Sequence, residues 1–280
     1  MKIQLLRNAT TLLSIGEHRI LVDPMLSEPG AMPGFKVFGG GRRPNPLVPL
    51  PATAAAALAQ ATAVLVTHEH PDHFDRPGLD FARRRGLTVW ASPVDAPNLR
   101  RKGLDARELR DGVLGMAVEV VPSRHGRGLL GWLMGPVAGV YLAHPDEPSL
   151  YVVGDSVLTD AVLDAIDRLQ PDVILAPAGA ANMGLGGDIL FSLDELVELA
   201  RRAPGEIVFN HLEALDHCPT TRAGLAARLA AEGLEEHTLI PADGEELVFE
   251  TRRAAHRKSR SASMPTGGAQ KWITAWFAGT

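Results

Sequence analysis

The chain has 280 residues, 45% of them hydrophobic and 22% charged, with a formal net charge of −5 and a mean hydropathy near zero. That length allows one large domain or two small ones with ample core, and the acidic balance argues against nucleic acid as the main partner. No run approaches the roughly 20 apolar residues of a membrane span. The opening MKIQLLRNATTLLSI lacks the long apolar core and small-residue cleavage site of a signal peptide. A lone cysteine, Cys218, excludes an internal disulfide, so a cytoplasmic location is expected.

Short apolar runs at 3–6, 11–15 and 19–22, with turn signals at Asn8 and Gly16, predict strands in antiparallel hairpins. From 24 to 51 the composition shifts to prolines and the glycines Gly39, Gly40 and Gly41. A loop of that length inside a compact domain is usually a lid or an interface. An alanine-rich helix is expected at 52–61 and a buried strand at 63–66. Beyond them come a helix at 75–85, a strand at 87–90 and a helix at 94–102. Strands are expected at 116–121, 128–134, 137–143 and 149–153. The alternation then resumes: helix 159–168, strand 172–175, helix 192–203, strand 206–209, helix 220–232, strands 237–240 and 246–250. Two batches of strands, each with its own helices, predict two packed sheets with helices outside. Residues 251–280 open with a basic run (Arg252, Arg253, Arg257, Lys258, Arg260), pass through Ser, Gly and Pro, and reach Trp272 and Trp276. They read as a flexible tail to a domain over 1–250.

The densest chemistry lies in His68-Glu69-His70-Pro71-Asp72-His73, directly after the apolar run 63–66. Three imidazoles and a carboxylate at a strand end suit Zn²⁺, Mn²⁺ or Fe²⁺ better than Ca²⁺ or Mg²⁺. One loop supplies too few donors for two ions, and three further candidates stand after other apolar runs. His125 follows VEVVPSR, Asp155 follows LYVVG, and His211 follows EIVFN. All three stand at carboxyl ends of expected strands, where sites in layered α/β folds gather.

With His-x-His-x-Asp-His at 68–73 followed by His125, Asp155 and His211, the chain resembles the metallo-β-lactamase fold superfamily. The opening ATTLLSIGEHRILVDP, with the acidic turn at Asp23, is similar to that superfamily's first hairpins. The resemblance covers roughly 1–250 and implies an α+β fold, a four-layer αβ/βα sandwich with metals at one edge. The short layout looks like the ascorbate-6-phosphate-lactonase-like group of metal-dependent hydrolases. It implies His68, His70 and His125 on one metal, Asp72, His73 and His211 on the other, and Asp155 bridging. The cofactors implied are two divalent ions, Zn²⁺ or Mn²⁺ ahead of Fe²⁺, sharing a hydroxide that attacks a lactone, ester or phosphodiester. Asp72 is thereby a catalytic candidate as well as a ligand. Two ions, two carboxylates and one hydroxide leave a net charge of about +1, which favours an anionic small-molecule substrate or transition state. Relatives with redox chemistry carry a carboxylate where this chain has His70, which favours hydrolysis.

Other residues are read with alternatives open. Asp23 is expected to hydrogen-bond a ligand histidine, Glu69 to point away, and Cys218 to be a buried, inert thiol. Asn182 and Met183, in the glycine-rich loop 178–187, are expected in the pocket wall as substrate-binding residues. His217 is a candidate proton donor, and with Arg222 a candidate binder of an anionic group; equally, Thr220 or Thr221 caps the helix and His217 is a loop residue. Two other functions compete with the hydrolase: an RNA-processing nuclease, for which the only basic run is the tail, and a metal-binding scaffold or sensor without catalysis. A glyoxalase-type activity lacks its C-terminal helical domain. The chain could also form a homo-oligomer.

Overall fold

The structure is a computed structural model that describes residues 1–184 and 187–250. The first half runs β1 (Lys2–Arg7), β2 (Thr10–Ile15), β3 (His18–Val22), α1 (Ala54–Gln60), β4 (Ala63–Val66), α2 (Arg76–Arg85), β5 (Thr88–Ala91), α3 (Ala96–Arg101) and β6 (Ala106–Glu108). The second runs β7 (Ala117–Arg124), α4 (Gly128–Met134), β8 (Pro136–Ala143), β9 (Leu150–Val152), α5 (Asp160–Leu169) and β10 (Val173–Pro177). It continues through α6 (Leu193–Arg202), β11 (Glu206–Asn210), α7 (Arg222–Ala231), β12 (Thr238–Leu239) and β13 (Glu246–Val248). Among the described residues these strands make two mixed sheets, ordered β13-β1-β2-β3-β4-β5-β6 and β12-β11-β10-β9-β8-β7.

Period-two patterning puts the two faces of each sheet into different cores. Leu13, Ile20, Val22 and Leu65 face inward, meeting Val140, Val152, Leu175 and Val208 of the opposite sheet. Their neighbours Leu12, Leu21, Val64 and Val66 face outward, packing with Ala57 of α1, Ala82 of α2 and Leu99 of α3. Outside the second sheet, Ile174, Ile207 and Phe209 pack with Ile166 of α5, Leu196 of α6 and Leu225 of α7. Helix, sheet, sheet, helix is the four-layer α+β sandwich expected. The helices begin where the sequence provides caps: Ser192 and Glu195 form a capping box on α6, and Asp75, Thr159 and Thr221 cap α2, α5 and α7.

Two local expectations are corrected. Residues 128–134 form the helix α4, not a strand; the run GLLGWLM is apolar at nearly every position, so its period does not discriminate. Here β7 and β8 already pair directly from Arg124↔Pro136 inward, which leaves 125–135 as their connection. Within it Gly131 packs on Gly126, whose carbonyl oxygen would lie 2.3 Å from an added Cβ. The short edge strand β6 was not anticipated, because its sequence Ala-Arg-Glu carries one buried apolar residue.

The segment 24–51 is fastened at several points. The wholly buried Arg7 donates to the carbonyls of Met25, Ser27 and Val48, and Ser27 N donates to Asp75 Oδ2. The basic run and the two tryptophans of 251–280 lie outside the described residues. No described helix is long and apolar enough to cross a membrane.

Because Leu13 is fully buried between the sheets while Leu129 of α4 is 74% exposed, truncating them should have unequal effects. Leu13→Ala should cost about 2–5 kcal/mol in chemical denaturation, and Leu129→Ala no more than about 0.5 kcal/mol.

Candidate metal centre

Strand ends bring the donors together. His68 follows β4, His125 follows β7, Asp155 lies just beyond β9, and His211 follows β11. Two groups result: His68, His70 and His125 in one, and Asp72, His73, Asp155 and His211 in the other. Within each group one ligand atom per residue lies within 4.8 Å of the others. Asp155 reaches across: its Oδ2 is 3.4 Å from His125 Nε2 and 3.9 Å from His68 Nε2, and its Oδ1 is 3.1 Å from His73 Nε2.

Each histidine is oriented by a partner behind it, which fixes the nitrogen left for the interior. His68 Nδ1–H donates to Thr67 Oγ1 at 3.1 Å, and the Thr67 hydroxyl donates to Asp23 at 2.7 Å. His73 Nδ1–H donates to Asp23 Oδ2 at 2.9 Å, and His125 Nδ1–H to the carbonyl of Ile189 at 2.8 Å. His211 Nδ1–H donates to Cys218 Sγ at 3.4 Å. His70 is reversed, with Nε2–H donating to the Met134 carbonyl at 3.1 Å, so its Nδ1 faces inward. The inward nitrogens of His68 and His211 are buried and complete no hydrogen bond.

Charge points the same way. Burial opposes ionisation of Asp72 and Asp155, yet the neighbouring histidines hold both carboxyls far below the usual carboxylate range. Burial likewise opposes charge on His73, but Asp155 and Asp23 push it up to about 10. His211 is raised against its burial, chiefly by Asp155. His68, desolvated and beside His73 and His70, is held well below the ordinary imidazole value. Buried carboxylates facing unsatisfied imidazole nitrogens fit a divalent cation.

The backbone carries local strain at this edge. His211 has φ +59° and Asp23 φ +44°, in the left-handed region that non-glycine residues seldom adopt. Asn8 secures both sides of the centre: its side-chain amide donates to the Asp72 carbonyl, and its own carbonyl accepts from His211 N. Sequence reading noted Asn8 only as a turn residue and passed over Thr67. Position beside a ligand was the one signal available for Thr67.

The remaining candidates divide. His217 is buried, its ring centroid 6.4 Å from that of His211, and burial holds it down to about 4. Asn182 N donates to the His217 carbonyl, and the Met183 side chain packs in the apolar cluster of Met25, Ile189, Leu190, Leu215 and Cys218. Arg222 is engaged elsewhere: its guanidinium donates to Glu213, to Asp243 and to the Pro241 carbonyl at the start of α7. Thr221 does cap that helix. Glu69 points away as expected, accepting from Asn98 and pairing with Lys102.

With this geometry in place, the likeness to known proteins is specific. A family model for the β-lactamase superfamily domain matches residues 18–211. The UPF0173 protein YddR of Bacillus subtilis (strain 168) is 33% identical over 255 residues, covering 89% of this chain and all of that protein. The crystal structure of an isothiocyanate hydrolase from Delia radicum gut bacteria superposes with a TM-score of 0.82 at 31% identity, covering 90% of this chain and 100% of that one. A possible metal-dependent hydrolase from Veillonella parvula DSM 2008 gives a TM-score of 0.82 at 28% identity, over 89% and 99% of the two chains. The chain belongs to the β-lactamase superfamily, with its metallo-β-lactamase fold. Its class is that of a metal-dependent hydrolase, and its His/Asp cluster has the donors to hold a divalent metal ion.

Asp23 touches His73 directly and reaches His68 through Thr67, so its loss should loosen both. Asp23→Asn should weaken metal binding about 10–100-fold, measured by competition with a chromophoric chelator.

Proposed function

We propose that the chain holds two divalent ions, Zn²⁺ or Mn²⁺, and hydrolyses a small, uncharged carbon electrophile such as an isothiocyanate, lactone or ester. The observation that carries this reading is the pair of donor groups joined by Asp155. His68, His70 and His125 would hold one ion, Asp72, His73 and His211 the other, and Asp155 would serve both. Bound ions supply water made acidic enough to attack at neutral pH, and positive charge for the oxyanion that develops.

The chain's own residues supply orientation and dryness. The partners behind the five histidines pre-set the inward nitrogens, so little reorganisation accompanies reaction. His217 sits beside His211 and, kept neutral by a pKa of about 4, would relay a proton from the attacking water to the leaving group rather than give up one it already carries.

The groups packed around the donors favour an uncharged substrate. The backbone carbonyls of Met134 and Ile189 and the Cys218 thiol bond the outer nitrogens of His70, His125 and His211, Phe35 lies against His217, and the side chains of all four belong to one apolar cluster with Met183 and Leu215. Arg222, the expected anion fork, is consumed by Glu213 and Asp243. Such surroundings suit an electrophile that acquires negative charge during attack better than one that arrives charged. The activity named for the isothiocyanate hydrolase, whose substrate is an uncharged electrophile, supports this choice over a phosphodiester and over RNA.

Two outcomes check the proposal. Protein loaded with Zn²⁺ or Mn²⁺ should turn over benzyl isothiocyanate, γ-lactones or p-nitrophenyl esters at least about 100-fold faster than bis-p-nitrophenyl phosphate, a difference of about 2.7 kcal/mol in barrier. His70→Ala and Asp155→Ala should abolish that turnover and leave circular dichroism unchanged, since a chain this long has its own core. A preference for the phosphodiester, or full turnover in both variants, contradicts the reading.

A further inference from the structure

We infer that Asp216 is a positioning residue: its carboxylate folds the segment 34–45 against the site and, through Phe35, sets the orientation of the His217 ring. The inference rests on the proton-transfer role proposed for His217 and adds the residue that orients it.

The Asp216 side chain is fully covered, and each of its oxygens faces donors from a segment about 170–180 residues earlier. Oδ1 accepts from Phe35 N at 2.9 Å and from the side-chain amide of Asn45 at 2.9 Å. Oδ2 accepts from Arg43 N at 3.1 Å, and Lys36 N is shared between the two oxygens at 3.4 and 3.3 Å. Asn45 returns the contact, accepting from Asp216 N at 2.9 Å. A carboxylate accepts at every lone pair, whereas an amide would turn an NH₂ toward one of these donors. Consistent with that full set of bonds, the Asp216 carboxyl is held below the usual range. The fit leaves no room for a larger residue at Gly34, where an added Cβ would lie 2.5 Å from the Arg43 carbonyl oxygen and 2.6 Å from Asp216 Oδ2.

The consequence falls on the next residue. His217 Nδ1 is buried and makes no hydrogen bond, so that nitrogen does not fix the ring. The rings that meet it are His211, 6.4 Å away, and, nearer, Phe35, edge-on at 5.3 Å between centroids and 80° between planes. Phe35 is the residue whose backbone N–H is bound to Asp216. One carboxylate therefore holds both the chain entering His217 and the aromatic ring that flanks it. Beyond Phe35 the segment is held further, with Val37 N and Phe38 N donating to the Met183 carbonyl.

The test compares Asp216→Asn, Phe35→Leu and the double variant in metal-loaded protein. Asp216→Asn should speed hydrogen exchange at Phe35, Lys36 and Arg43 and shift or broaden the His217 imidazole resonances, with metal content unchanged. Each single variant should lower kcat about tenfold, as misplacement of a reacting group does. The double variant should lose no more than either single, because both act through one ring. If Asp216→Asn fails to fold, Asn45→Ala removes one donor and should give the same His217 shift in milder form. Unchanged His217 resonances in the folded variant, or losses that multiply in the double variant, overturn the inference. Should no panel substrate be turned over, the proposed activity fails, and the resonances alone still decide the role of Asp216.

Discussion

Asp72 and Asp155 are carboxylates with almost no access to water, set among five imidazoles at one edge of a sandwich. Buried charge of this kind is tolerable only when it is paired and hydrogen-bonded, and the cost of leaving it unpaired is several kcal/mol per ion. Histidines offset it only in part: His73 and His211 gain positive character, while His68 and His125 are pushed the other way by their own burial. A divalent cation resolves both halves of this arrangement at once, giving the carboxylates a counter-charge and the inward nitrogens a partner.

The rest of the fold serves that constraint. Four strand ends deliver His68, His125, Asp155 and His211 to one edge, and rigid sheets keep them there. The apolar faces inside and outside each sheet supply the stability against which strain at His211 and Asp23 is held; such strain costs about 1–3 kcal/mol per residue. Asn8 then ties the Asp72 loop to the His211 loop, so donors separated by well over a hundred residues form one unit. Around them Thr67, Asp23, Ile189, Met134 and Cys218 choose which nitrogen each ring presents. His70 differs from the other four because its outer partner is a carbonyl at the end of α4.

The sequence made some of this legible because the signals were local. The short apolar runs at 3–6, 11–15 and 19–22, and those before each ligand, are short-range patterns. They located β1 to β4, β7, β9, β11 and the donors that follow them. What escaped was non-local or ambiguous. The run 128–134 is apolar throughout and reads equally as helix or strand until the β7–β8 pairing excludes a strand. Arg222 shows only its own chemistry in sequence, and nothing there says that Glu213 and Asp243 converge on it. Arg7 and Asp216 are invisible for the same reason: each is a single charged residue whose partners, mostly backbone groups, lie well away in the chain. The Pro/Gly-rich composition of 24–51 signals an irregular path, while those two residues determine where that path is fastened.

Anomalous diffraction from crystals of protein loaded with Zn²⁺, recorded on both sides of the zinc edge, is the most direct test of the central claim. The account predicts two peaks per chain, one among His68, His70 and His125 and one among Asp72, His73 and His211, with the Asp155 carboxylate contacting both. A single peak, or two peaks with Asp155 turned away from them, would contradict it.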